Sequence, residues 1–367
     1  MNYDKKTQKH YALLCSDEYA KNIENYLNSH DLFGAASLLR ACCSHYFSTG
    51  KPAFYSTELK NCIIDLLSDP KKNDADLKFG ELAYPQGLLA LTDYIRMTGE
   101  QPIVAYTDYF AEKILGDMFL SGDDCFDGKK AFALRALANH FLHREKLPEI
   151  LSAARSVLPF YSAPHAADIP SLCIANGAIG LLLLSNEDGE FLSCAKKTAD
   201  FFIKNNSSLI YSAGENFSAC DRSDPFAAAA WFLFFTLLYK KTGNDLYCHQ
   251  ARRMWFNGLQ FCQRENGGVG YDSFVSAADP VLKAETYFEK RLTPLYADAL
   301  YGYEKNKALF CEEDGEVKKD RYGRYFIGDK LFARDISEFF GNDLIEIPSL
   351  TSFDEQTARQ LRLKTTF

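Results

Sequence analysis

Leu238-Tyr239-Lys240-Lys241-Thr242-Gly243-Asn244 closes an apolar, aromatic-rich run, and the same ending occurs twice earlier in the chain. The other copies are Tyr94-Ile95-Arg96-Met97-Thr98-Gly99-Glu100 and His45-Tyr46-Phe47-Ser48-Thr49-Gly50-Lys51. A glycine after the last periodic residue is a helix C-cap, because glycine enters the left-handed backbone region without a Cβ clash. Each copy therefore closes one helix and opens an antiparallel partner. The threonines lie 49 and then 144 residues apart, the second interval being close to three times 48. Two degenerate copies are expected between them, at His143-Arg144-Glu145-Lys146-Leu147-Pro148 and Ser185-Asn186-Glu187-Asp188-Gly189-Glu190, and a sixth at Tyr303-Glu304-Lys305-Asn306-Lys307.

Six two-helix units of this period predict an all-α closed ring, an (α/α)6 toroid with an inner circle of helices wrapped by an outer one. Length alone, 367 residues, suggests two or three domains. The repeat reduces that to one: a toroid over residues 1–310 with a segment over 311–367 packed on it. Lys319 to Arg334 alternates charge with aromatics, a pattern open to short strands or to a loop.

The composition is that of an ordinary globular chain, with 47% hydrophobic and 25% charged residues and a formal charge of -8. The acidic excess is spread along the chain and argues against nucleic acid or an anionic membrane as partner. No apolar run of about 18 residues spells a membrane span, and Met1 to Lys6 do not resemble a signal peptide. Eleven cysteines without a C-x-x-C, most inside apolar helical runs, read as small buried hydrophobes of a reducing, cytoplasmic protein rather than as disulfides or a zinc site. No cofactor and no metal is expected.

The connections that follow the tight turns are short, and those that lead into the next unit are long and polar. Long loops on a rigid scaffold are where sites concentrate, so one rim of the ring is the candidate site. Its loops carry Tyr84 and Gln86; Asp123-Asp124-Cys125-Phe126-Asp127; His165 and Asp168; Tyr211; Glu215 to Asp224; and Glu285. Asp224, followed by Pro225, reads as a helix cap. Asp123 to Asp127 spells a D-D-x-x-D pattern, but Gly122 and Gly128 bracket it in a loop, against a magnesium-diphosphate reading. No phosphate-binding or dinucleotide glycine motif is present.

Cys220-Asp221-Arg222-Ser223-Asp224, Trp231, Lys241 to Tyr247, Ala251 to Asn257 and Gln263 to Tyr271 resemble the six-hairpin glycosidase superfamily, nearest to the β-L-arabinofuranosidase type. The likeness covers about residues 160 to 275. It implies a carbohydrate-active protein. Characterised β-L-arabinofuranosidases carry a Glu-x-Cys pair and later adjacent cysteines that bind zinc and supply a nucleophile. Here Cys220 matches the first cysteine, Ser218 stands at the Glu position, and the later Cys248, Cys262 and Cys311 are not adjacent, so the zinc-thiolate mechanism is not carried over.

Glycoside hydrolysis uses two carboxyl groups flanking the scissile bond. The expected catalytic set is Asp221 with Glu215, Asp168 and Glu285 as partners, and His165, Tyr84, Gln86, Tyr211, Tyr271 and Asp272 are expected to bind a small carbohydrate. Two alternatives stand beside hydrolysis: a sugar epimerase or isomerase using histidine as acid and base, and a non-catalytic sugar-binding or scaffold protein. The aromatic excess, 29 Phe and 21 Tyr, divides between these roles. Phenylalanines in helical runs fill the core, whereas Tyr84, Tyr161, Tyr211, Tyr271 and Tyr287 are expected to wall an acid-floored cleft.

Overall fold

The computed structural model describes residues 32–50, 55–69, 82–120, 126–144, 146–164, 169–205, 213–217, 219–255, 317–319, 324–327 and 330–334. These contain ten α-helices: α1 (Leu32–Thr49), α2 (Ser56–Ser68), α3 (Ala83–Thr98), α4 (Val104–Leu115), α5 (Gly128–His143), α6 (Pro148–Ser162), α7 (Ser171–Leu184), α8 (Gly189–Asn205), α9 (Pro225–Thr242) and α10 (Asp245–Arg253). They pair as five consecutive hairpins. The sixth unit, expected around Tyr303 to Lys307, lies outside the described residues.

Three of the hairpin turns are the Thr-Gly copies. Gly50, Gly99 and Gly243 have φ of 70°, 72° and 68°, and the N–H of each donates 2.7 Å to the carbonyl four residues back. The threonine closes the cap from the other side. Thr98 Oγ1 donates to Tyr94 O at 3.0 Å and accepts from Glu100 N at 3.2 Å. Thr242 does the same with Leu238 O and Asn244 N, at 2.8 and 3.3 Å. The degenerate copies also fall at turns, between α5 and α6 and between α7 and α8.

Which helix is inner follows from its pattern. All of α7 except Leu183 is buried, as expected of a helix enclosed on every side. Its partner α8 buries Phe191, Cys194, Ala195, Thr198, Ala199 and Phe202, a single stripe at helical spacing. The inner helices α1, α3, α5, α7 and α9 pack successively on one another, and α2, α4, α6, α8 and α10 lie outside them.

The tight turns gather at one end of this ring. Lys146, between α5 and α6, reaches Glu187 between α7 and α8 at 3.1 Å, and Lys241 at the end of α9 donates to Asn186 in that same turn. At the other end a two-stranded hairpin, β1 (Gly214–Asn216) and β2 (Ala219–Ser223), precedes α9. It bridges Pro170 through Asn216, and Phe217 N donates to Ile169 O at 2.9 Å. The connections entering α7 and α9 therefore share a rim.

Much of the aromatic content is core. Trp231 is fully buried, stacks on Phe202 at 3.9 Å and lies parallel to Phe217 at 6.1 Å. Its indole N–H donates to Ser171 Oγ at 2.8 Å. Tyr161 corrects the expectation for rim tyrosines. It is fully buried, and its hydroxyl donates to Ile174 O at 3.1 Å, the partner a buried phenol needs.

Lys319 to Arg334 holds strands rather than a bare loop: β3 (Val317–Lys319), β4 (Arg324–Ile327) and β5 (Lys330–Arg334) form an antiparallel sheet in that order.

Inner helices α5 and α7 approach closely at two glycines. A Cβ on Gly180 would meet Leu134 Cγ at 2.8 Å and the Leu134 carbonyl at 2.9 Å; one on Gly177 would run into the Tyr161 hydroxyl. At Gly243 and Gly189 a Cβ meets nothing within 4 Å. We therefore expect three graded alanine substitutions in urea unfolding. Gly180→Ala costs about 2–3 kcal/mol through overpacking, Gly243→Ala about 1 kcal/mol through its backbone conformation, and Gly189→Ala stays within about 0.5 kcal/mol of wild type.

Candidate functional site

A small cleft, open to solvent, lies between the inner helices. Its described lining is Arg40 on α1, Gln86 on α3, Phe132 and Arg135 on α5, Leu172 and Asn176 on α7, and Phe226, Ala229, Ala230 and Leu233 on α9. On α3, α5, α7 and α9 these residues fall in the N-terminal half of the helix, toward the rim that carries the β1–β2 hairpin.

The polar lining is held rigidly. Asn176 is almost fully buried; it donates to Leu172 O at 2.8 Å and accepts from Arg135 Nη1 at 2.7 Å. Gln86, fully buried, donates to Ser37 Oγ at 3.2 Å and accepts from Arg40 Nη1 at 3.4 Å. Arg40 Nε lies 3.4 Å from Asp93 Oδ2, which supplies the countercharge a buried guanidinium needs. Two guanidinium forks and two carboxamides thus present directed hydrogen-bonding groups beside apolar faces of Phe132, Phe226 and Leu233, a mixture suited to a small polar ligand.

Of the residues expected at the site, Gln86 lines the cleft. Tyr84 is half-buried and packs instead toward α4, its ring 5.5 Å from Lys113 Nζ, with burial and then Asp117 raising its pKa. Glu215 lies within β1 and Asp221 within β2. The register pairs Gly214 with Ser223 and Asn216 with Ala219, so Glu215 falls opposite the stretch that includes Asp221. His165, Asp168, Tyr211, Tyr271, Asp272, Glu285 and Tyr287 lie outside the described residues. Asp224 is a cap, accepting from Phe226 N at 2.9 Å. Asp127 of the D-D-x-x-D pattern caps α5, accepting from Lys130 N at 2.8 Å.

Arg40, Arg135 and Asn176 were not singled out by the sequence reading. Each is a large polar residue inside an otherwise apolar run, as in Ala131-Phe132-Ala133-Leu134-Arg135-Ala136-Leu137-Ala138. Such a residue needs either a partner or a ligand.

Other chemistry-bearing groups are elsewhere. Burial, with Asp93 adding to it, pushes the Cys43 thiol well up; burial followed by Asp127 pushes Cys173 to about 12. Neither supplies a thiolate. Among the described residues no three His, Cys, Asp or Glu side chains cluster as a metal site, and no helix is long and apolar enough to cross a membrane.

His140, near the C-terminal end of α5, is fully buried and faces α4, with Nε2 3.4 Å from Asp108 Oδ1. Burial, then the Arg144 guanidinium, lowers its pKa to about 4. The unfolded chain's histidine binds a proton near pH 6.5, so this contribution is full above that pH and is lost as pH falls toward 4. Relative to His140→Gln, wild type is expected to lose on the order of 3 kcal/mol across that window, read from urea unfolding at fixed pH values.

No family model matches the sequence, and no curated protein sequence matches it either. Solved structures do. A GH127 β-arabinofuranosidase, BT3674, superposes with a TM-score of 0.56 at 11% identity, over 82% of this chain and 60% of that one. The cellobiose 2-epimerase from Bacillus thermoamylovorans B4167 superposes with a TM-score of 0.51 at 14% identity, over 73% of this chain and 87% of that one. The chain thus spans about 60% of the length of the arabinofuranosidase it matches. At these identities the likeness shows the fold alone: the chain has the architecture of an (α/α)6 toroid.

Proposed function

We propose that this is a carbohydrate-active protein, a glycoside hydrolase that binds the end of a small oligosaccharide in the cleft and cleaves it with carboxylates of the overlying rim. Asp221 is the principal carboxylate, with Glu215, Asp168 and Glu285 as its possible partners. The observation that carries the reading is the β1–β2 hairpin at the rim. It brings two acidic residues onto neighbouring strands beside the entrances of α7 and α9. Residues on neighbouring strands come within reach of one another, and hydrolysis uses a pair of carboxyl groups. The directed donors of Arg40, Arg135, Gln86 and Asn176 support it, because sugar hydroxyls need fixed polar partners.

In this reading one carboxylic acid protonates the departing glycosidic oxygen, and the second, ionised, acts as nucleophile or activates water. No step is assigned to a metal or thiolate. A second reading, sugar epimerisation with His165 as acid and base, draws support from the epimerase matched over most of that enzyme's length. The two differ in product: hydrolysis releases two sugars, whereas epimerisation leaves the linkage intact.

Wild type and Asp221→Asn, assayed on aryl glycosides and short oligosaccharides, test the proposal. Wild type is expected to release the aglycone or a reducing sugar, and the variant to be slower by about 10²–10⁴-fold. An isomerised, uncleaved disaccharide favours the second reading. Sugar binding without turnover of any substrate contradicts both.

A further inference from the structure

The hairpin at the rim is irregular in its middle and fixed at both ends. Its register pairs Gly214 with Ser223 and Asn216 with Ala219, so one residue of β1, Glu215, stands opposite three of β2, Cys220, Asp221 and Arg222. A β-bulge of this kind takes backbone out of the ladder and re-aims the residues it holds. At the base, Asp224 N donates to Ala213 O at 2.9 Å, and the Asp224 carboxylate caps α9 through Phe226 N. At the tip, Phe217 N donates to Ile169 O at 2.9 Å, and Asn216 bridges Pro170.

Phe217 sets this tip apart from a turn that faces water. It is fully buried, and its ring meets three helices: Phe160 of α6 at 6.2 Å, Phe201 of α8 at 5.2 Å and, in parallel, Trp231 of α9 at 6.1 Å. Trp231 is in turn held by Ser171 of α7. Strands of three and five residues do not form a stable hairpin alone, so the geometry of the bulge comes from what the hairpin is tied to. Turn positions favour small polar residues; a core aromatic in the turn is the exception, and it lies within a few residues of both Glu215 and Asp221.

We infer that Phe217 is a positioning residue, which sets where the bulge, and with it Asp221 and Glu215, stands over the rim. This rests on the hydrolase reading for the role of those two carboxylates. A displacement of about 1 Å at a reacting group costs on the order of 10²-fold in rate, so release of the tip registers in turnover before it registers in substrate binding.

Amide exchange and steady-state kinetics of the full-length protein test it, on Phe217→Ala and Phe217→Leu, with Phe110→Leu, a buried ring on α4, as the control for lost packing alone. In Phe217→Ala, peptides spanning residues 214–223 are expected to exchange about tenfold faster while those of α3 and α5 are unchanged. Its kcat is expected to fall about 10–100-fold, with KM within about twofold of wild type. Phe217→Leu, which keeps an apolar filler, recovers part of both and stands in should the alanine variant fold poorly. Phe110→Leu is expected to lower the urea midpoint and leave kcat unchanged. Unchanged hairpin exchange in both Phe217 variants, faster exchange with kcat unchanged, or a kcat loss that Phe110→Leu reproduces overturns the inference and leaves the hydrolase reading standing. A wild type that turns over no glycoside overturns the hydrolase reading, and the exchange rates then decide alone whether Phe217 fixes the hairpin.

Discussion

The contact on which the ring depends is the flush packing of α7 against α5. Gly177 and Gly180 contribute no side chain of their own to this contact, and the space a methyl would need at Gly180 is taken by the backbone and side chain of Leu134. The neighbours of these contact residues face the cleft. Asn176 precedes Gly177 and Arg135 follows Leu134, so the close approach that locks the helices also sets the 2.7 Å bond between Arg135 and Asn176. Packing and site chemistry are consequently the same constraint seen from two sides of the helix pair. Any residue larger than glycine here separates the helices and displaces the guanidinium together with them.

From that contact the rest of the arrangement follows by repetition. A left-handed glycine reverses the chain with few residues, which forces each inner helix to be followed by an outer one at the same end. The longer return connections then collect at the opposite rim. There the chain has length to spare for a β-hairpin, and Phe217 in its turn is itself buried and stacked toward Trp231. The hairpin is thus anchored by the same aromatic core that fills the space between the helical layers. Loops fixed in this way can hold functional groups at constant distance from a rigid cleft.

The architecture was legible because it depends on local chemistry. Thr-Gly capping and the spacing of its copies are visible without tertiary information, and they located the turns; which helix of each pair is inner emerged only from the burial pattern of the structure. The cap at Asp224 was equally readable, since Asp before Pro at a helix start has one dominant local use. The site was less so. Tyr161 lies near a loop in sequence, but its position at the end of α6 turns it inward to a carbonyl of α7, which no periodicity reveals. Arg40, Gln86, Arg135 and Asn176 recur at intervals of 46, 49 and 41 residues, close to the repeat, each a polar residue in an apolar inner helix. Counting that recurrence finds them. Attention to loop carboxylates alone does not, because it follows residue type rather than the symmetry of the ring.

The central claim is that the N-terminal end of the inner ring is a carbohydrate site. The most direct measurement is a crystal structure of the protein with a bound oligosaccharide. The account predicts a terminal sugar among Arg40, Gln86, Arg135 and Asn176, with the next glycosidic bond beside the β1–β2 hairpin. Sugar bound at the tight-turn end or on the outer helices, with the cleft unoccupied, would contradict it.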